Sequence, residues 1–281
     1  MRGSRGLDRM SSRNLRIVTE DPPTRAPGGP FVVGRYVVFD EIAAGGMATV
    51  HLGRLLGSGG FARTVAIKRM HANLAKDPDF ASMFLDEAKL ASRVRHPNVV
   101  TTLDVLAEGG EALLVMEYVA GVSLHALFSA VHGAGERVPL PILTRILCDA
   151  LAGLHAAHEA TGEDGEALRI VHRDVTPHNI MIDVSGVARV LDFGIAKASN
   201  RGQQTQEGTI KGKPAYMAPE QITGDGVDRR VDVYAACAIF WEGLVGRKPH
   251  ERPNGVASTL FETLYRVTQE PITRPSAEGV S

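Results

Sequence analysis

The sequence predicts an α+β protein of two lobes, a small sheet lobe followed by a larger, mainly helical one. Three observations carry this. Short runs rich in β-branched and aromatic residues dominate from Arg35 to Tyr118, with one helical pattern among them. After Gly121 the apolar spacing turns helical. And 281 residues suffice for two lobes of about 100 to 150 residues each.

Residues 1–33 carry six arginines (Arg2, Arg5, Arg9, Arg13, Arg16 and Arg25) against Asp8, Glu20 and Asp21, and include the turn-rich run Pro22 to Pro30. Such a segment buries too little apolar surface to offset its ordering entropy, so a disordered tail is expected. Its charge could meet an acidic partner or membrane surface; a solvated leader is the plainer reading.

Five strands follow, at Tyr36 to Ile42, Thr49 to Leu55, Thr64 to Met70, Thr101 to Ala107 and Ala112 to Tyr118. The helical pattern between the third and fourth begins at Asp77-Pro78, where Asp caps and Pro suits the first helical position. These elements define a sheet lobe over 34–118. The second lobe, 119–281, opens with a helix behind Pro141, whose apolar face is marked by Ile142, Leu143, Ile146, Leu147, Ala150, Leu151 and Leu154. Short strands at Ile180 to Ile182 and Val187 to Leu191 flank a turn at Asp183 to Gly186, and helices follow near Val231 to Leu244 and Ser258 to Val267.

Composition excludes several classes. With 44% apolar and 22% charged residues and a net charge of -1, the surface is balanced, which argues against nucleic-acid binding. Cys148 and Cys237 lack partners at metal-ligand spacing, so a reducing, cytoplasmic setting without a disulfide framework is expected. The apolar stretch Ala235 to Val245 is broken by Glu242 and falls short of the roughly 20 residues of a spanning helix. No membrane segment and no signal peptide are expected in this chain, although a longer native protein could carry an anchor.

Three segments bear chemistry. Ile42-Ala43-Ala44-Gly45-Gly46-Met47-Ala48-Thr49-Val50 joins two strands through small residues, so its backbone N–H groups could approach a phosphate chain. A simple hairpin turn is the alternative. Val65-Ala66-Ile67-Lys68 ends in a lysine, and Glu87 falls in the apolar stripe of the helix that follows. A buried carboxylate needs a cation, and the inward Lys68 is the economical one; two solvated charges are the alternative.

The third segment is the most informative: Val171-His172-Arg173-Asp174-Val175-Thr176-Pro177-His178-Asn179, then Leu191-Asp192-Phe193-Gly194, then Ala218-Pro219-Glu220. Phosphoryl transfer needs a carboxylate for the attacking hydroxyl, oxygen ligands for Mg²⁺ and fixed cations on the phosphates. Asp174, Asn179 and Asp192 are the right residue types.

In these motifs the sequence resembles the eukaryotic-like (Hanks-type) bacterial serine/threonine protein kinases, over about residues 34 to 281. The resemblance implies a two-lobed fold with ATP and magnesium in the cleft and a protein substrate. It implies that Lys68 holds phosphates and pairs with Glu87, that Asp174 is the catalytic base, and that Asn179 and Asp192 ligate Mg²⁺. The glycine loop from Ile42 to Val50 would cover the nucleotide, with Ala66, the gatekeeper Met116 and the backbone of Glu117 and Val119 around adenine. Asp232 would brace the catalytic loop, and His172 would belong to its structural spine. Activation by phosphate on Thr205 or Thr209, in the polar loop that also holds Ser199, paired with Arg173, against an unmodified flexible loop, and transient self-association for autophosphorylation are further expectations.

The sequence departs from the family pattern in four places. Ala43 and Ala48 stand where the loop usually has glycines. Thr176 stands where these kinases carry lysine, and Lys213 where they carry threonine. This raises a swap, in which Lys213 supplies the cation beside Asp174 and Thr176 the hydroxyl, against two independent changes. The last two helices of the family are missing by Ser281, along with the arginine that pairs with Glu220, so a truncated lobe with an uncovered apolar face is expected. His155 and His158 lack an obvious third ligand for a metal. The expected activity is a protein serine/threonine kinase; the alternative is a pseudokinase, a nucleotide-binding scaffold without turnover.

Overall fold

In the computed structural model the residues described are 29–108, 111–193, 213–252 and 259–280. The first lobe is a six-stranded antiparallel sheet in the order β1-β2-β3-β4-β6-β5, formed by Phe31–Val33 (β1), Tyr36–Ala44 (β2), Ala48–Leu56 (β3), Ala62–Met70 (β4), Thr102–Glu108 (β5) and Glu111–Glu117 (β6). The extra strand β1 lies within the run expected to be a disordered tail. Phe31, Val32 and Val33 are a short apolar run just before the two-residue turn Gly34-Arg35, and Val33 pairs with Tyr36. Gly34 has φ +54°, the conformation such a tight hairpin asks of its first turn residue.

A short helix Ala72–Ala75 (α1), absent from the sequence reading, precedes Pro78–Arg93 (α2). The expected start of α2 is present: the Asp77 side chain accepts a hydrogen bond from the Asp79 N–H at 3.0 Å, with Pro78 at the first position. Phe84 and Ala88 on α2 pack with Met70, Leu114 and Met116 of the sheet.

The second lobe begins with Gly121–Ser123 (β7) and Leu124–Gly133 (α3), both missed because a three-residue strand and a Ser-capped helix with a continuous apolar start carry no clear period. Leu140–His158 (α4), Ile180–Asp183 (β8), Ala188–Val190 (β9), Pro219–Thr223 (α5), Arg230–Val245 (α6) and Leu260–Gln269 (α7) follow, with β7-β8-β9 forming a small sheet. On α4 the buried stripe is narrower than expected. Leu143, Ile146, Leu147, Ala150 and Leu154 are buried, whereas Ile142 (52% exposed) and Leu151 (39%) face solvent, so α4 sits rotated toward Leu143. With 19 residues, α4 is among the described residues the helix long and apolar enough to cross a membrane; here it packs against β9 and α6 as a core helix.

The lobes meet at Asn98 to Val100. Val190 donates to the Asn98 carbonyl (2.8 Å), Val100 donates to that of Val190 (2.9 Å), and the Asn98 side-chain amide donates to the Ala188 carbonyl (2.8 Å). Gly153 permits this approach, since a Cβ there would lie 2.4 Å from the Asn98 carbonyl oxygen. At the far end, Trp241 Nε1 donates to the Thr273 carbonyl (2.7 Å) and Arg247 pairs with Glu278 (2.8 Å), fixing the last described residues to α6. On α7 the large apolar side chains Phe261 (81% exposed) and Tyr265 (65%) face solvent. Glu220 is half-buried; its carbonyl accepts from the Gly224 N–H (2.9 Å), while its carboxylate forms no hydrogen bond or ion pair among the described residues.

Candidate active site

The site is organised from beneath by Asp232 in the first turn of α6. Its carboxylate is fully buried and accepts three hydrogen bonds: from the His172 N–H (2.8 Å), the Arg173 N–H (2.8 Å) and His158 Nε2 (2.8 Å). Buried donors and a buried carboxylate satisfy one another. Two of the three donors are backbone, so the loop itself is pinned. Arg173 takes φ +63° and Asp192 φ +44°, conformations that cost non-glycine residues about 1–3 kcal/mol and persist only where their surroundings hold them.

His172 links the two halves of the site. Its Nδ1 accepts from the Asp174 N–H (3.2 Å), which puts the ring proton on Nε2, and that nitrogen donates to the Leu191 carbonyl (2.7 Å) beside Asp192. The ring also packs on Phe193, 5.1 Å between centroids. Gln221 of α5 ties in the third segment: its Nε2 donates to the Arg173 carbonyl (3.0 Å) while its Oε1 accepts from the Ala218 N–H (3.0 Å).

On this frame the predicted polar groups converge. Asn179 closes a 3-10 turn, and its Nδ2 donates to the Asp174 carbonyl (2.8 Å) and to Asp174 Oδ2 (3.2 Å). Lys213 Nζ lies 3.0 Å from the same Oδ2. Lys68, reaching in from β4, places its Nζ 3.1 Å from Asp192 Oδ2. Leu191 donates to the Asn179 carbonyl (2.9 Å), so the loops bearing Asp174 and Asp192 are joined by backbone as well. The Glu87 side chain, expected to pair with Lys68, lies outside the described residues, as do Ser199, Thr205 and Thr209.

Over this cluster lies an apolar slot. Ala66 and Met116 are cross-strand partners on β4 and β6, and Val119 and Leu191 pack on the same cluster. The Glu117 N–H donates to the Thr101 carbonyl (2.9 Å). The Glu117 carboxylate holds Arg189 of β9 (3.2 Å). The roof is the β2-β3 hairpin: Ile42, Ala43, Ala44, Gly45, Gly46 and Met47 are exposed, Ala48 is buried, and Thr49 and Val50 are half-buried. The Gly45 N–H donates to the Ala48 carbonyl (2.9 Å), and the Met47 carbonyl accepts from His71 (3.0 Å).

Alanine at 43 and 48 narrows the conformations open to this roof. Replacing both by glycine is expected to tighten Mg-ATP binding by about twofold to fivefold, read by titration calorimetry; unchanged affinity would refute the effect.

The donor set suits a hard divalent cation. With the Asn179 amide nitrogen spent on Asp174 and one Asp192 oxygen paired to Lys68, an amide oxygen and a carboxylate oxygen remain, the oxygen ligands such ions prefer.

Some contacts had no signal in the sequence. The His158 to Asp232 bond spans 74 positions. Glu242, which only interrupts an apolar run in the sequence, is buried and accepts from the Tyr216 OH at 2.6 Å. Burial, reinforced by the charge of Glu242, raises the Tyr216 hydroxyl above its ordinary value, and burial likewise raises Glu242. Thr176, singled out for its departure, has its Oγ1 buried with no hydrogen-bond partner among the described residues.

Comparison with known proteins gives one pattern. The protein kinase domain profile matches residues 36–278. The chain is similar to the tyrosine-protein kinase MasK of Myxococcus xanthus, 44% identical over 235 residues that cover 84% of this chain and 36% of that protein. It is similar to the serine/threonine-protein kinase PknB of Mycobacterium tuberculosis, 36% identical over 255 residues, 88% of this chain and 38% of the relative. The chain thus spans a little over a third of the length of these relatives. Among solved structures, the PknI kinase domain of Mycobacterium tuberculosis matches with a TM-score of 0.63 at 24% identity, covering 90% of this chain and 84% of that one, a likeness of fold.

Proposed function

This chain belongs to the protein kinase family, and we propose that it transfers the γ-phosphoryl group of ATP to hydroxyls of protein substrates, serine and threonine foremost. The observation that carries this reading is the convergence of Lys68, Asp174, Asn179 and Asp192 in one cleft, joined by the 3.1 Å Lys68 to Asp192 pair and the Asn179 to Asp174 bonds. In this reading Asp174 orients the acceptor hydroxyl and takes its proton. Lys68 fixes the phosphates from above. Asn179 and Asp192 hold Mg²⁺, which when bound supplies charge neutralisation at the phosphates. The Ala66, Met116 and Val119 slot takes adenine, and the small-residue roof from Ile42 to Val50 excludes water from the transfer.

We assign Lys213 to the cation beside Asp174, the place that Thr176 leaves without charge. What supports it is the 3.0 Å pair with Asp174; the Thr176 hydroxyl is buried without a hydrogen-bond partner among the described residues, so only the lysine half of the swap has a contact behind it. Lys213→Thr and Thr176→Lys are each expected to lower kcat about tenfold, and the double variant to regain most of it. Additive losses in single-turnover transfer, with all three variants melting like wild type, would leave the two changes independent.

Radiolabelled ATP with a generic protein acceptor tests the activity. Wild type is expected to label the acceptor and Lys68→Met to fail; Mg-ATP uptake without labelling would favour the pseudokinase. The relative named a tyrosine-protein kinase gives tyrosine a claim as acceptor, and phosphoamino-acid analysis of the labelled product decides between the hydroxyls.

A further inference from the structure

The roof hairpin carries a side-chain tie at its base. His51 of β3 is buried, and its ring makes two contacts: Nδ1 lies 3.1 Å from the Phe39 carbonyl and Nε2 lies 2.9 Å from Thr49 Oγ1. A carbonyl oxygen only accepts, so Nδ1 donates to Phe39, and the Nε2 of the neutral ring accepts from the Thr49 hydroxyl. One side chain thus joins both strands of the hairpin.

The sheet creates the need for this tie. Val38 stands opposite Gly53 and Glu41 opposite His51, so Phe39 and Asp40 of β2 share Leu52 as the one residue across from them. A second register shift follows between Glu41 and Ala43, opposite His51 and Val50. Such bulges interrupt the ladder, and a backbone carbonyl that loses its ladder donor needs another. The imidazole of His51 supplies it to Phe39.

Alternation of side chains shows what the tie holds. Val50 is directly opposite Lys68, whose Nζ reaches Asp192 in the cleft, so Val50 faces the cleft as well. Thr49 and His51 point to the other face, where His51 stands opposite Ile67 of the cluster formed with Tyr36, Val38 and Val65. The Thr49 to His51 bond therefore spans Val50 from behind. On its other edge Val50 is opposite Ala43 of the roof, so this residue lies between the roof and Lys68. From Ile42 to Met47 the roof is exposed, and the tie sits where that exposed tip joins the buried sheet.

We propose that His51 is a positioning residue for ATP: with Thr49 and the Phe39 carbonyl it locks the base of the roof, and so sets Val50 and the roof against Lys68 before the nucleotide enters. This rests on the ATP-dependent reading above and assigns the order of its roof to side chains on the face away from the ligand. Base and tip have opposite needs. The tip must yield to the phosphates, which is why glycine at 43 and 48 helps, whereas the base gains by being fixed beforehand.

Thr49→Val keeps the shape of the side chain and removes its hydroxyl. It is expected to weaken Mg-ATP binding in titration calorimetry by about threefold to tenfold, the scale of one hydrogen bond, and to raise the KM for ATP alike, with kcat at saturating ATP within about twofold of wild type. Thr49→Ser, which keeps the hydroxyl, is expected to bind as wild type does. His51→Asn keeps a donor for Phe39 and loses Thr49, so it should match Thr49→Val, and the two changes together should cost no more than either alone. Unchanged affinity in Thr49→Val overturns the proposal, as does an equal loss in Thr49→Ser or a double variant in which the losses multiply. Calorimetry reads binding without turnover, so the expected pattern in a protein that labels no acceptor refutes the kinase reading and not the tie. Labelling that proceeds with Thr49→Val unaffected in ATP affinity refutes the tie alone, and a wild type that takes up no Mg-ATP overturns both.

Discussion

Replacing Asp174 by Asn is expected to lower the single-turnover rate by about a hundredfold to ten-thousandfold, the range general base catalysis contributes, while Mg-ATP affinity by calorimetry stays within about twofold. The split follows from where Asp174 sits. Its Oδ2 receives the Asn179 amide (3.2 Å) and the Lys213 ammonium (3.0 Å), while Lys68 of β4 and Asp192, the groups assigned to the phosphates and the metal in the proposed reading, pair with each other 3.1 Å apart. An amide of the same shape keeps a carbonyl oxygen for those two donors but cannot accept the proton of the acceptor hydroxyl. It also leaves Lys213 facing a neutral group, so the loss should be smaller when Lys213→Met is already present. Retention of more than about a tenth of the wild-type rate by Asp174→Asn would remove Asp174 from the role of base.

The residues singled out for chemistry stood out because their tasks constrain residue type within short stretches: Asp174 and Asn179 lie in one segment and Asp192 in another, the two segments meet through the Leu191 to Asn179 backbone bond, and Lys68 pairs with Asp192. The sheet was legible from its period, apart from Phe31–Val33, where three apolar residues pair only because Gly34 turns the chain back. The joints were not legible. Asn98 to Ala188, His158 to Asp232 and Tyr216 to Glu242 are single polar contacts between segments 90, 74 and 26 positions apart. Each half looks unremarkable alone, since a polar residue in an apolar run announces burial only when its partner is known. For the same reason Ile142 and Leu151 looked like core: periodicity marks which residues could be inside, and neighbouring elements decide how far the helix turns.

Asp232 is where such a joint carries both fold and function, and Asp232→Ala is expected to destabilise the protein by about 3–5 kcal/mol, as removal of one partner from a buried charged network does. For a chain of this size that is a fall in Tm of about 6–15 °C by calorimetry. The substitution leaves the N–H groups of His172 and Arg173 and the His158 ring nitrogen buried without their acceptor. Arg173, at φ +63°, then loses the bond that holds it in the left-handed region and can relax toward ordinary backbone. That relaxation moves the next residue, Asp174, and through the His172 ring it loosens Leu191 and Asp192 as well. Turnover should therefore fall at temperatures well below the new Tm, where the protein is still folded, and the deficit should lie in kcat more than in the KM for ATP. His158→Phe removes one donor while leaving both backbone bonds to Asp232, so it should cost stability without a comparable loss of kcat. Equal losses of kcat in the two variants would show that Asp232 acts on stability alone and does not position the loop.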